Sequence, residues 1–290
     1  MGGGGLVGVG MMRKSDRMLP LTAPVSGAPT PTASANPSPT GPSREQLAAE
    51  RRAARTKALT AALQKYAASV PEFSVAVLDR KTGQRYAFRG SERYEAASVV
   101  KVQVLACLLL DAQDDDRDLT ATELSLAKRM IRYSDNDATT ALFSRLGQAP
   151  AVTRSNKRLG LTETRVSSAW GLTQTTVNDQ VRLLDELVDE DGPLDPESRR
   201  LALKLMAGVD DDQDWGVPAV AKPGETAIVK NGWLPRTSEG GRWIINSVGR
   251  VTGDDVDVSI AVLSHHHRSM PGGISVVEKA AKLTRRYLEY

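Results

Sequence analysis

Ser98 and Lys101, three residues apart in Ala97-Ser98-Val99-Val100-Lys101-Val102, are the first pair in this 290-residue chain whose types and spacing could do chemistry. A serine hydroxyl attacks a carbonyl only when a neighbour takes its proton, and a lysine amine can do so once burial lowers its pKa. Beyond the pair, Val102, Leu105, Leu109 and Ala112 recur at three- and four-residue spacing, which predicts a helix with one buried face. Ser98 then stands at the helix start, where backbone N–H groups lack internal partners and the dipole is positive. Lys101 lies one turn on, on the same side. Alone, the pair also fits a helix-capping serine and a surface lysine. Two later clusters carry groups of the same chemistry: Ser134-Asp135-Asn136 and Lys230-Asn231-Gly232.

The elements that must position these groups follow from periodicity. A capping box at Ser43 and Gln46 opens a long helix through Leu59, Leu63 and Tyr66. Phe73–Asp79 and Tyr86–Phe88 form a hairpin around a turn at Arg80–Gly83. After the Ser98 helix, a second helix spans 119–133, and Ser134-Asp135-Asn136 breaks it with residues that prefer caps and turns. Further helices cover 138–146, 151–161, 175–190 and 197–207. Strands at 227–230, 242–248 and 256–264 are punctuated by Asn231-Gly232 and by Gly253–Asp255, and a helix at 273–290 ends the chain. The expected fold is α/β (α+β): an antiparallel five-stranded sheet from both chain ends, flanked by helices, with an inserted all-helical lobe. Residues 43–290 make the folded part, with a sheet lobe at 43–97 plus 222–290 and a helical lobe at 98–221.

Composition excludes several classes. The chain holds 38 Lys/Arg against 35 Asp/Glu, but residues 1–57 alone hold eight basic and three acidic groups. The rest has no basic excess for phosphates, so no nucleic acid partner is expected. Cys107, the single cysteine, lies in the apolar helix and forms no intramolecular disulfide. Met1–Met12 is too weakly apolar to span a bilayer, and Arg13, Lys14 and Arg17 follow it where a secretory signal would place them first. Residues 18–42 carry seven of the fifteen prolines, the composition of an extended spacer. Such spacers separate export signals or anchors from extracytoplasmic domains, so a secreted or cell-envelope location is expected. His265-His266-His267 follows the last strand and resembles a metal tract, but alternation along a strand would point neighbours to opposite faces, so no metal is expected.

In order, spacing and setting, Ser98-Val99-Val100-Lys101, Ser134-Asp135-Asn136 and Lys230-Asn231-Gly232 resemble the S-x-x-K, S-D-N and K-T-G motifs of the class A β-lactamases and penicillin-binding enzymes. The likeness runs from about residue 60 to the C-terminus, and Thr164-Arg165-Val166 and Thr175-Thr176 extend it. The resemblance implies that Ser98 forms an acyl-enzyme, Lys101 takes its proton, and Ser134 relays a proton to the leaving nitrogen. Asn136 would orient Lys101 and bond a substrate amide, while Lys230 would attract a substrate carboxylate. Gly232 and Trp233 would border the oxyanion, held by the backbone N–H groups of Ser98 and Trp233. No cofactor is implied, and the expected partner is a small-molecule or cell-wall peptide substrate met by a monomer.

Two departures bear on turnover. Asn231 replaces the family's Thr or Ser, so an amide is expected where a hydroxyl binds the substrate carboxylate. The resembled β-lactamases use a loop glutamate to activate the deacylating water, but Ser167-Ser168-Ala169-Trp170-Gly171-Leu172 contains no acid. Glu163 is expected to pair with a nearby base instead, and Trp170 either lines the cleft or packs in the core. The expectation is a serine hydrolase slow on β-lactams. The alternative is a non-hydrolytic penicillin- or cell-wall-fragment-binding protein acting as sensor or scaffold.

Overall fold

Hydrophobic spacing, caps and turn residues yield α1 (Arg44–Ala67), β1 (Phe73–Asp79), β2 (Gln84–Phe88), β3 (Tyr94–Glu95), α2 (Val100–Asp114), α3 (Ala121–Arg132), α4 (Asn136–Arg145) and α5 (Gln148–Arg158). There follow β4 (Gln174–Thr175), α6 (Val177–Glu186), α7 (Pro196–Met206), β5 (Thr226–Arg236), β6 (Arg242–Thr252), β7 (Asp257–Ser264) and α8 (Met270–Leu288). This computed structural model describes residues 42–290. The glycine-rich start and most of the proline-rich stretch, with the export reading they carry, lie outside the described residues.

The main sheet runs β2-β1-β7-β6-β5, antiparallel throughout, so strands from both chain ends meet at the β1–β7 pair. Both faces are covered. Val75 and Val77 of β1 join one core with Leu59 and Leu63 of α1 and Val277, Ala280 and Ala281 of α8. Ala76 and Leu78 turn into the other core, shared with α2, α6 and the remaining helices. The fold is therefore α+β, a five-stranded sheet with a helical lobe inserted between its strands.

Two local expectations change. A single buried face was expected for α2, yet every residue from Val100 to Leu110 is buried. The helix runs through the middle of the lobe, enclosed by the sheet and its neighbours, so both its apolar and polar residues lose contact with solvent. Asn231-Gly232 does not end a strand either: β5 passes through it, pairing Asn231 with Ser247 and Gly232 with Asn246. Glycine suits that position because another backbone passes beside it. A Cβ on Gly232 would stand 2.9 Å from Ala96 O, Ser98 N and Val99 N.

The histidine argument also needs correction. His266 adopts φ +63°, which breaks strand alternation, and its ring stacks on His265 at 3.9 Å between centroids. His267 turns inward, its Nε2 2.9 Å from Ser264 Oγ, and burial pushes its pKa down to about 4.

Glu123, fully buried at the start of α3, ties the helical lobe together. It closes a capping box with Thr120 and pairs with Arg117 at 3.0 Å and Arg145 at 2.6 Å. Burial acts to raise its pKa, but the Thr120 hydrogen bonds and the two guanidiniums outweigh it and hold the carboxyl at about 2. Because this lies below the unfolded value of about 4.3, the stabilisation is full above that pH and fades as pH falls toward about 2. Glu123→Gln should therefore cost about 1–3 kcal/mol at neutral pH, because the buried end loses its charge-assisted bonds while the two arginines left behind are partly exposed to water. Urea denaturation should show the gap to the parent protein closing as pH falls from about 4 to about 2.

Candidate active site

The Ser98 hydroxyl is presented by a tight turn, Ala97–Val99, that leads directly into α2. Ala97 sits at φ +47°, a conformation that costs a non-glycine residue on the order of 1–3 kcal/mol. Neighbouring strands hold it there. Asn246 of β6 donates to Glu95 O and Ala96 O at 2.9 and 3.0 Å, and Ala96 N donates to Thr173 O at 2.7 Å.

One turn on, the fully buried Lys101 gathers the cluster. Its Nζ lies 2.8 Å from Ser98 Oγ, 2.7 Å from Ser134 O, 3.1 Å from Ser134 Oγ and 2.9 Å from Asn136 Oδ1. Ser134 joins α3 to α4 at φ +55°, which turns both its carbonyl and its hydroxyl toward the amine. Asp135 holds this corner from outside the cluster. Its carboxylate caps α4 through Ala138 N at 2.8 Å and accepts from Arg129 Nε at 2.9 Å.

Lys230 arrives from β5, the edge strand nearest Ser98. It is fully buried and donates to Ser134 Oγ at 3.1 Å, Asn231 O at 2.9 Å and Gln213 Oε1 at 3.3 Å. All three acceptors are uncharged. Burial, then the nearby charge of Lys101, push its pKa well below the usual lysine range. Burial likewise lowers Lys101 to about 7, with Asp135 pulling the other way. The site therefore offers one hydroxyl beside an amine that is substantially neutral near pH 7, and a second hydroxyl shared by two amines.

Five of the sequence candidates thus converge: Ser98, Lys101, Ser134, Asn136 and Lys230. Gly232 joins them through its backbone, which lies against the Ser98 turn. The Asn231 expectation is not met. Strand alternation sends its side chain to the face opposite Lys230, and its amide donates to Gln213 O at 2.7 Å and Trp215 O at 3.0 Å. Both N–H bonds are committed, leaving none for a carboxylate. Trp233 points the same way, its ring edge-on to Trp215 at 6.1 Å, so only its backbone can serve the cleft.

Trp170 resolves in favour of the cleft. The turn 170–172 packs on the Ala97–Val99 turn, and the indole covers Lys101 with Nζ 5.0 Å from the ring centroid. Its Nε1 donates to Thr140 Oγ1 at 3.1 Å. Glu163 does not pair with a base through its carboxylate. It accepts from Thr176 Oγ1 at 2.9 Å and Asn178 Nδ2 at 3.4 Å, while its backbone carbonyl accepts from Arg93. Sequence reasoning missed Gln213 and Asn246. Neither lies in a motif, and only the sheet order brings them here.

Solved structures share this fold, and a mycobacterial protein matches part of the chain in sequence. "Putative lipoprotein LppW" of Mycobacterium tuberculosis is 32% identical over 184 residues, which cover 61% of this chain and 58% of that protein, so the match leaves over a third of the relative's length unspanned. Among solved structures, a variant of the reconstructed last common ancestor of Gram-negative class A β-lactamases matches with TM-score 0.67 at 23% identity, covering 79% of this chain and 97% of that one. A protein titled PBP-A gives TM-score 0.70 at 18% identity over 80% and 96%, and a β-lactamase from Xanthomonas campestris gives 0.68 at 18% over 80% and 97%. Those structural likenesses show the fold. With residues 54–125 and 120–288 matched by the model of the beta-lactamase enzyme family, Beta-lactamase2, this chain belongs to that family.

Proposed function

We propose that this chain is a serine acyl-transfer enzyme that forms an ester on Ser98 from a β-lactam or a peptidoglycan-like amide or ester, and releases it slowly. The observation that carries this reading is the Lys101 amine, within 2.7–3.1 Å of the Ser98 and Ser134 oxygens and Asn136 Oδ1. In its neutral form the amine takes the Ser98 proton while Oγ bonds to the substrate carbonyl carbon. The carbonyl oxygen gains charge between the N–H groups of Ser98 and Trp233, donors worth roughly 2.7–4 kcal/mol each in other enzymes. The carbon–nitrogen bond then breaks, with Ser134 passing its proton to the leaving nitrogen and regaining one from the amines beside it. Lys230, buried among neutral acceptors, gains a counter-charge when a substrate carboxylate arrives.

Slow release rests on 167–172. No acid is available there to activate water, and the Trp170 indole covers the amine that could substitute for one. The lipoprotein name of the mycobacterial relative supports a cell-envelope location, where peptidoglycan fragments and β-lactams are met. The same empty stretch favours the second reading, a binder that docks or traps cell-wall fragments without turnover.

Intact-mass analysis after exposure to a penicillin should show a single adduct that persists for many turnovers' worth of time and is absent in Ser98→Ala. Product without adduct, or cephalosporin hydrolysis faster than about 10 s⁻¹, would refute slow release. Absence of both would leave the binder reading in place of the enzyme. The acylation rate should rise with pH through about 7, because only the deprotonated Lys101 accepts the proton. Stopped-flow acylation followed from about pH 5.5 to about pH 9 should lose that rise in Lys101→Arg. Trp170→Glu should speed adduct release by about 10²-fold or more, the contribution of a positioned general base, whereas Trp170→Phe should not. Equal release rates in the two variants would count against the account of 167–172.

A further inference from the structure

Away from the cleft, the end of the β1–β7 ladder brings together three groups of metal-binding type. Phe73 pairs with Ser264 in the register, so Glu72 and His265 are the next opposed pair, and His265 N donates to Glu72 O at 3.3 Å. Opposed residues of an antiparallel pair project their side chains to one side of the sheet. His265 Nε2 accordingly lies 2.9 Å from Glu72 Oε2. His266 should point the opposite way, but its φ of +63° folds the ring back onto His265, with the two planes 21° apart. One ligand atom from each of Glu72, His265 and His266 then lies within 4.8 Å of the others.

We propose that Glu72, His265 and His266 form a surface site for a divalent transition-metal ion of the zinc class, with Glu239 as its fourth ligand. Tetrahedral nitrogen and oxygen ligands at about 2.0–2.2 Å from zinc stand about 3.3–3.6 Å apart. The ligand atoms lie within 4.8 Å of one another, and closing to that spacing would take rotation of the exposed Glu72 and His266 side chains. Glu239, in the turn between β5 and β6, has Oε2 3.2 Å from His266 Nε2. Two imidazoles and two carboxylates form a borderline donor set that suits zinc, nickel or copper better than calcium or magnesium. Tyr94 fixes the orientation of His265, its ring edge-on at 4.9 Å and its hydroxyl 3.0 Å from Ser74 Oγ. Arg89 lies near Glu72, and Arg236, paired with Glu95 at 2.9 Å, stands 4.0 Å from Glu239, so both soften the carboxylate charge of the cluster. A bound ion would tie the β5–β6 turn to the end of β7.

The test is calorimetric titration of the tag-free full chain with Zn²⁺, beside His265→Ala, His266→Ala and Glu72→Gln, with thermal melts of each variant in chelator. One ion per chain with micromolar affinity is expected, weakened at least about tenfold in each variant. In the parent protein, Co²⁺ should broaden the His265 and His266 ring resonances selectively and spare His267. No binding, unchanged affinity in both histidine variants, or broadening centred elsewhere would mean that the cluster is an ordinary set of ion pairs and overturn the proposal.

Discussion

The structure depends on an amine buried without an acid to bond it. Lys101 is enclosed by α2, the α3–α4 corner and the Trp170 indole, and every oxygen bonded to it is neutral. Burial of an uncompensated ammonium is costly, and the lysine responds by titrating far below its ordinary range. That same response makes it a base. Under the function proposed above, stability given up at this residue is what activates a hydroxyl three residues earlier.

The rest of the fold keeps that arrangement from relaxing. A flexible chain would turn the amine toward water. Here α2 is buried on every side, so its first turn cannot rotate, and Ala97 and Ser134 are held in left-handed conformations by partners on β6 and by the α4 cap. Lys230 adds a second amine against the Ser134 hydroxyl that Lys101 also bonds, which makes full protonation of both still less favourable. The cleft thus holds two buried amines with no carboxylate bonded to either, and an arriving anion would stabilise their charged forms.

Much of this was legible in the chain. The strands and the helical block between them followed from spacing and cap residues, because local periodicity and turn chemistry act within a few residues. Ser98, Lys101, Ser134 and Lys230 stood out together only through their resemblance to the three family motifs. What was not legible depends on contacts across the fold. Strand alternation, applied to Lys230-Asn231-Gly232, would have turned Asn231 away from the cleft had β5 been seen to continue to Arg236; reading Asn231-Gly232 as punctuation hid it. Gln213, Asn246 and the placement of Trp170 over Lys101 come from elements far apart in sequence. The His265–His266 pair defied alternation because one positive φ at His266 reversed it, and no residue type there announces that turn. The full enclosure of α2 likewise depends on what packs around it, which its own periodicity does not specify.

The most direct test is to follow the lysine side chains individually as pH changes, by NMR of ¹⁵Nζ-labelled protein with Lys101→Arg to assign the signal. The account predicts that the Lys101 resonance titrates with a midpoint of about 7. A Lys101 resonance that keeps its charge up to about pH 10, as an ordinary solvated lysine does, would contradict it.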